Sequence, residues 1–121
     1  MTAARRRVVV TTAGARGSED VLAALAADGV ELVERFDLGD TDDEAVLAAA
    51  LAGAFGVVAG GEPYTRAVLA GAGGLRAIVR FGAGYDRIDL RAATAAGVAV
   101  CTVPGANADS VADMALALML A

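Results

Sequence analysis

The sequence predicts an α/β domain built on a doubly wound parallel sheet of about five strands in flavodoxin-like order. Three observations carry this. Short runs of β-branched apolar residues alternate with helical segments along the whole chain. Glycines and capping residues mark most of the boundaries between them. The hydrophobic content is 57 %, mostly Ala, Val and Leu, while aromatic residues make up only 4 %. A core of small aliphatic side chains needs closely spaced helices and strands, as in a layered fold. A chain of 121 residues suits one domain with a real core.

Taken in order, Arg7 to Thr12 reads as a buried first strand, bounded by Ala13-Gly14. Ser18 is the expected N-cap of a helix, with Glu19 and Asp20 in its first turn, where carboxylates suit the helix dipole. Val21, Leu22 and Leu25 give that helix an apolar face, and Gly29 ends it. Val30 to Phe36 is a second strand near an edge. Thr41 to Ala52 is the next helix, followed by Gly53. Phe55 to Ala59 is a short strand, and Thr65 caps a brief helix that stops at Gly71 to Gly74. Leu75 to Phe81 is a strand, Asp89 caps a helix ending at Gly97, and Val98 to Val103 is the last strand. A final helix begins near Asn107 to Ser110. Strands alternating with helices imply parallel pairing, right-handed crossovers and helices on both faces.

Composition narrows the function. The formal net charge of −5 argues against a nucleic-acid partner, which requires a basic surface. A single cysteine, Cys101, allows no internal disulfide and is expected in the core of its strand. The arginine-bearing start, Met1 to Arg7, runs into Val8-Val9-Val10 without a signal-peptide pattern, so a cytoplasmic location is expected. No apolar run approaches the roughly 18 residues of a membrane span. No His, Cys or carboxylate cluster has metal-ligand spacing, so no metal is expected. The chain has no histidine. No pair of acids is spaced for general acid–base work, so no catalytic residue is assigned.

In open parallel sheets, ligands sit beyond the carboxyl ends of the strands. Among the loops there, Gly82-Ala83-Gly84 can aim successive N–H groups at one point and favours a carboxylate guest, although a plain strand-to-helix turn needs the same residues. It is no dinucleotide fingerprint, because Arg87 stands where the third glycine belongs. Ser110 and Asp113 have the spacing of a capping box. Asn107, at a helix start, can both donate and accept toward a substrate oxygen or a nicotinamide amide. From Val111 to Ala121 only Asp113 is polar, so this helix has no face suited to water.

Three segments taken together resemble the D-isomer-specific 2-hydroxyacid dehydrogenases: residues 75 to 89, ending Phe81-Gly82-Ala83-Gly84-Tyr85-Asp86-Arg87-Ile88-Asp89; Ala92-Ala93 through Gly97 to Val100; and Pro104-Gly105-Ala106-Asn107-Ala108-Asp109-Ser110-Val111-Ala112-Asp113. Gly61-Glu62-Pro63-Tyr64-Thr65 also resembles the loop after that family's third strand. The resemblance implies hydride transfer between NAD (or NADP) and a D-2-hydroxy acid, with residues 1–106 as the substrate-binding domain. Residues 107–121 would begin the helix leading to an NAD-binding domain, absent here, that supplies the catalytic Arg, Glu and His. Matched position by position, Ala83, Gly84, Asn107 and Gly61 would contact substrate. Asn107, Ala108, Ser110 and Ala83 would lie near the cofactor. Gly60 and Gly61 stand where phosphoglycerate dehydrogenases often place Arg and Ser for a phosphate, which disfavours 3-phosphoglycerate. Asp113 replaces the family's usual Glu. The apolar helix would pack at the domain junction and at the subunit interface of a homodimer.

A stand-alone carboxylate-binding or interaction module without catalysis is the alternative from another class. A phospho-receiver domain is disfavoured, because Thr11-Thr12, Ala59-Gly60 and Val103-Pro104 stand where its acids and lysine belong. An FMN binder using Thr11 to Gly17 remains a weaker option.

Overall fold

The computed structural model describes residues 5–121; residues 1–4, part of the arginine-bearing start, lie outside the described residues. Five strands, β1 (Arg6–Val10), β2 (Val30–Glu34), β3 (Gly56–Ala59), β4 (Ala77–Arg80) and β5 (Ala99–Cys101), pair wholly in parallel. Their order is β2-β1-β3-β4-β5, the doubly wound arrangement expected from the alternation of elements. The helices are α1 (Glu19–Ala27), α2 (Glu44–Leu51), α3 (Arg66–Gly71), α4 (Leu90–Ala95) and α5 (Ala108–Leu120).

Strand register explains where the core lies. Val33, Val9, Val57, Ile78 and Val100 sit side by side across the sheet. This row faces α2, α3 and α4, where Leu47, Leu51, Val68, Leu69, Ala92 and Ala93 close over it. One residue further along, Val10, Val58, Val79 and Cys101 form a row on the opposite face. There burial fades from β1 outward: Val10 is fully buried, Val58 half-buried, and Val79 is 39 % exposed. The chain turns left from β1 to β2 and then right to β3, so right-handed crossovers put α1 on that second face, alone. The expectation of helices on both faces therefore holds at one end of the sheet only.

Two expectations need correction for this reason. Cys101 is exposed, not a core residue, because nothing among the described residues covers the β5 end of the second face. Val21 is also exposed, and α1 presents only Leu22 and Leu25, both half-buried, to the sheet. The strands are shorter than the sequence suggests, since ladder pairing stops where the loops turn away. Capping is mixed. Asp43, Thr65 and Asp89 accept from first-turn amides as N-caps. Ser18 precedes α1 without a side-chain cap bond. Ser110 lies inside α5, whose N-cap is Asn107, so no capping box forms with Asp113.

The carboxyl ends of the strands are tied together by a buried polar node. Glu62 is 1 % exposed, and its Oε1 accepts from the hydroxyls of Thr11 and Tyr64 (2.6 Å to the latter) and from Gly60 N at 3.2 Å. Thr11 directly follows β1, Gly60 directly follows β3, and Tyr64 bridges onward: its N–H donates to Arg87 O, and its carbonyl accepts from Asp89 N. Burial, reinforced by the charge of Glu62 and the hydrogen bond to it, pushes the Tyr64 phenol far above its ordinary value near 10. The folded chain thus keeps Tyr64 protonated while the unfolded chain ionises it above about pH 10. The stability so contributed is complete below pH 10 and drains away as pH rises further. Denaturant titrations at pH 7 to 11 should show this loss. Tyr64→Phe should cost about 2 kcal/mol at neutral pH and flatten the alkaline decline; an unchanged decline would contradict the assignment to Tyr64.

Candidate functional site

Beyond the carboxyl ends of β3, β4 and β5, three loops converge: Gly60–Glu62, Arg80–Arg87 and Val103–Asn107. Close backbone approach fixes the first. A Cβ on Gly39 would lie 2.6 Å from Thr11 O, and one on Gly60 would lie 2.7 Å from Gly39 O. Both positions therefore need glycine. Gly61 N donates to Gly39 O at 2.7 Å, so this residue offers the site a bare Cα and no amide. Its carbonyl accepts from Arg87 Nη1 at 2.9 Å, while Arg87 Nη2 pairs with Asp42. Arg87 thus serves as a strap between two loops and the start of α2, and Asp42 holds its guanidinium firmly charged.

The second loop turns at Gly82, whose φ of +152° suits glycine. Gly82 N donates back to Arg80 O, and Gly82 O accepts from Val103 N at 3.1 Å, tying the loop to the end of β5. The next two amides, of Ala83 and Gly84, have no acceptor among the described residues, and both residues are exposed. Gly84 lines a cleft of about 170 Å³ together with Gly60, Gly61, Glu62, Arg80 and residues 85–88, and Ala83 precedes it in the same turn. Exposed N–H donors without acceptors, beside a cleft, are available to an anion.

Arg80 is the residue that sequence reasoning missed. Its guanidinium bends over Gly82, donates to Phe81 O at 2.7 Å, and lies between three hollows. One is the cleft above. A second, about 450 Å³ and largely apolar, is walled by Val79, Phe81, Gly82, Val103, Ala106 and Asn107. A third, about 320 Å³, reaches toward Thr12, Gly14 and Asp40 at the β1–β3 switch point. Among the described residues no carboxylate lies within ion-pair distance of Arg80. Nothing in the sequence singles out an arginine that ends an apolar strand; only strand order reveals that three hollows meet at it. Glu62 was also passed over, because a lone acid with no partner at catalytic spacing leaves no signal.

The remaining sequence candidates are spread unequally. Asn107 is exposed, its side chain makes no capping bond, and it stands at the rim of the apolar hollow. Ala108 and Ser110 follow it in the first turn of α5, exposed and away from the residues lining the three hollows. The structure therefore brings Gly84 and Gly61 to one cleft, with Ala83 next to Gly84 in the exposed turn and Asn107 beside the adjoining hollow across Arg80. Among the described residues no group of three or more His, Cys, Asp or Glu could hold a metal. No described helix is long and apolar enough to cross a membrane.

Comparison with known proteins bears on the family and the fold. Over 65 residues the chain is 45 % identical to a D-3-phosphoglycerate dehydrogenase of Methanocaldococcus jannaschii, covering 54 % of this chain and 12 % of that protein. Over 54 residues it is 50 % identical to the D-3-phosphoglycerate dehydrogenase of Mycobacterium leprae, covering 45 % and 10 %. The fold superposes on NAD+-bound 3-phosphoglycerate dehydrogenase of Entamoeba histolytica with a TM-score of 0.77 at 24 % identity, covering 96 % of this chain and 38 % of that one. The chain thus spans well under half the length of these proteins. Residues 8–117 match the family described as D-isomer specific 2-hydroxyacid dehydrogenase, catalytic domain. With both the fold and this match in hand, the chain belongs to the D-isomer specific 2-hydroxyacid dehydrogenases.

Proposed function

We propose that this chain captures the substrate for an NAD-dependent oxidoreductase acting on the CH–OH group of a D-2-hydroxy acid. The observation that carries the reading is the pair of unspent, exposed amides at Ala83 and Gly84 near the guanidinium of Arg80, which donates to Phe81 O but, among the described residues, pairs with no carboxylate. Together they would hold the carboxylate, the amides along one edge and Arg80 as the countercharge. Gly61 would form a close wall, and Asn107 would reach the substrate oxygen or the cofactor. Such an arrangement orients the hydroxyl-bearing carbon toward the apolar hollow and limits water around it.

That hollow fits the edge of a nicotinamide. Its walls are Phe81, Val103 and Ala106, with a donor–acceptor amide at Asn107 on the rim. NAD or NADP would supply the hydride acceptor there. Asn107, Ala108, Ser110 and Ala83 would touch only its edge, the main hold coming from residues outside these 121. The chain has no histidine, and of the two acids at the cleft Glu62 is buried and spends one oxygen on three structural hydrogen bonds, so in this reading the chain holds the substrate and does not move its proton. In this reading residues 1–106 form the substrate domain, and 107–121 begin the helix toward a cofactor-binding partner domain. Cytoplasmic location and a homodimeric enzyme belong to the same proposal.

A second reading, an interaction module without catalysis, draws on α5: every one of its residues is exposed, including Met114, Leu118 and Leu120. A discrete, soluble dimer of the 121-residue chain on sizing would favour it; aggregation would favour the enzyme half. The purified chain should show no NAD-dependent oxidation of 2-hydroxy acids by absorbance of the reduced cofactor, and measurable turnover would overturn the assignment of capture alone. Arg80→Gln should weaken glycolate binding by about tenfold, the scale of one charge-assisted hydrogen bond. Unchanged affinity by calorimetry would remove Arg80 from the site.

A further inference from the structure

Glu62 is tied on one side only. Its Oε1 receives three hydrogen bonds, whereas Oε2 is buried with none. A buried acceptor without a donor requires an explanation. Here the spare oxygen lies directly beneath Gly60, since a Cβ on that residue would come within 2.9 Å of it. Glu62 is itself among the residues lining the cleft, so its carboxylate borders the cleft from a buried position, where its charge is poorly screened.

The charges around the cleft then decide what it accepts. Arg80 and Arg87 are its cations; Glu62 and Asp86 are its anions. Arg87 is already paired with Asp42. Asp86 stands beside the amide loop, its Oδ1 3.3 Å from where a Gly84 Cβ would be. One uncommitted guanidinium and two free amides can satisfy one carboxylate, and nothing is left for a second anionic group. We infer that Glu62 is a specificity-determining residue that restricts the cleft to monoanionic hydroxy acids with uncharged tails and turns away phosphorylated ones. The named relatives are phosphoglycerate dehydrogenases, so this chain parts from them in substrate class. The inference rests on the carboxylate site proposed above.

The test uses the 121-residue chain with glycolate as reporter ligand, followed by saturation-transfer NMR. D-Glycerate and 3-phosphoglycerate, which differ by one phosphate, compete for it. At pH 7.5, D-glycerate should displace glycolate at a concentration at least about tenfold lower, the scale of one poorly screened like charge. Lowering the pH through about 6, where the phosphate gains a proton, should narrow the gap in the unmodified chain; a purely steric exclusion would leave it unchanged. Glu62→Gln keeps shape and removes charge, and should narrow the gap at pH 7.5. If that variant does not fold, the two-ligand comparison and the pH series still decide. Equal or tighter binding of 3-phosphoglycerate, or a gap unmoved by both pH and Glu62→Gln, overturns the inference while leaving the carboxylate site standing. Failure of glycolate to bind at all removes that site, and the inference with it.

Discussion

One buried carboxylate sets the geometry on which the rest depends. Glu62 gathers the end of β1 through Thr11, the end of β3 through Gly60, and the loop after β4 through Tyr64 and its backbone bonds to Arg87 and Asp89. A charge out of water is costly unless hydrogen-bonded; here three donors on one oxygen offset much of that cost. The return is positional. The strand ends cannot drift apart without stripping that carboxylate, so the glycine loops keep their spacing and Gly84 stays in the wall of the cleft. The same demand explains Gly39 and Gly60, where any side chain would force the loops apart.

Much of the fold was legible in advance because hydrophobic period and capping chemistry act locally. The β-branched runs marked the strands, and Asp89, Thr65 and the acids before α2 marked helix starts that hold in three dimensions. What failed was non-local. Cys101 sits in an apolar run, but whether that run is covered depends on a distant element lying across it. Ser110 has capping-box spacing, yet α5 starts three residues earlier at Asn107, because Ala108 N already bonds to Gly105 O in the preceding turn. The glycine loops of the site could be read from their composition. Arg80 and Glu62 could not, since their meaning comes from the strand order that places β4 beside β3 and from a hydroxyl contributed by β1.

The molecule's two surfaces are unequal. On the side of α2, α3 and α4 the sheet is sealed by aliphatic packing. On the other side Val79, Phe81, Cys101 and Val103 remain exposed, as does the whole of α5. Contiguous apolar surface of this kind marks a face that functions in contact with something else. Phe81 and Val103 also wall the apolar hollow next to Arg80, so a partner lying against this face would bound the proposed site.

The central claim is that the backbone at 83–84 receives a carboxylate. It is tested most directly by titrating glycolate into the 15N-labelled chain and following every amide. The account predicts that the largest saturable shifts fall on Ala83 and Gly84, while Gly61, whose N–H is already spent on Gly39, responds weakly. Shifts centred on Thr12 to Gly17, or none that saturate, would contradict it.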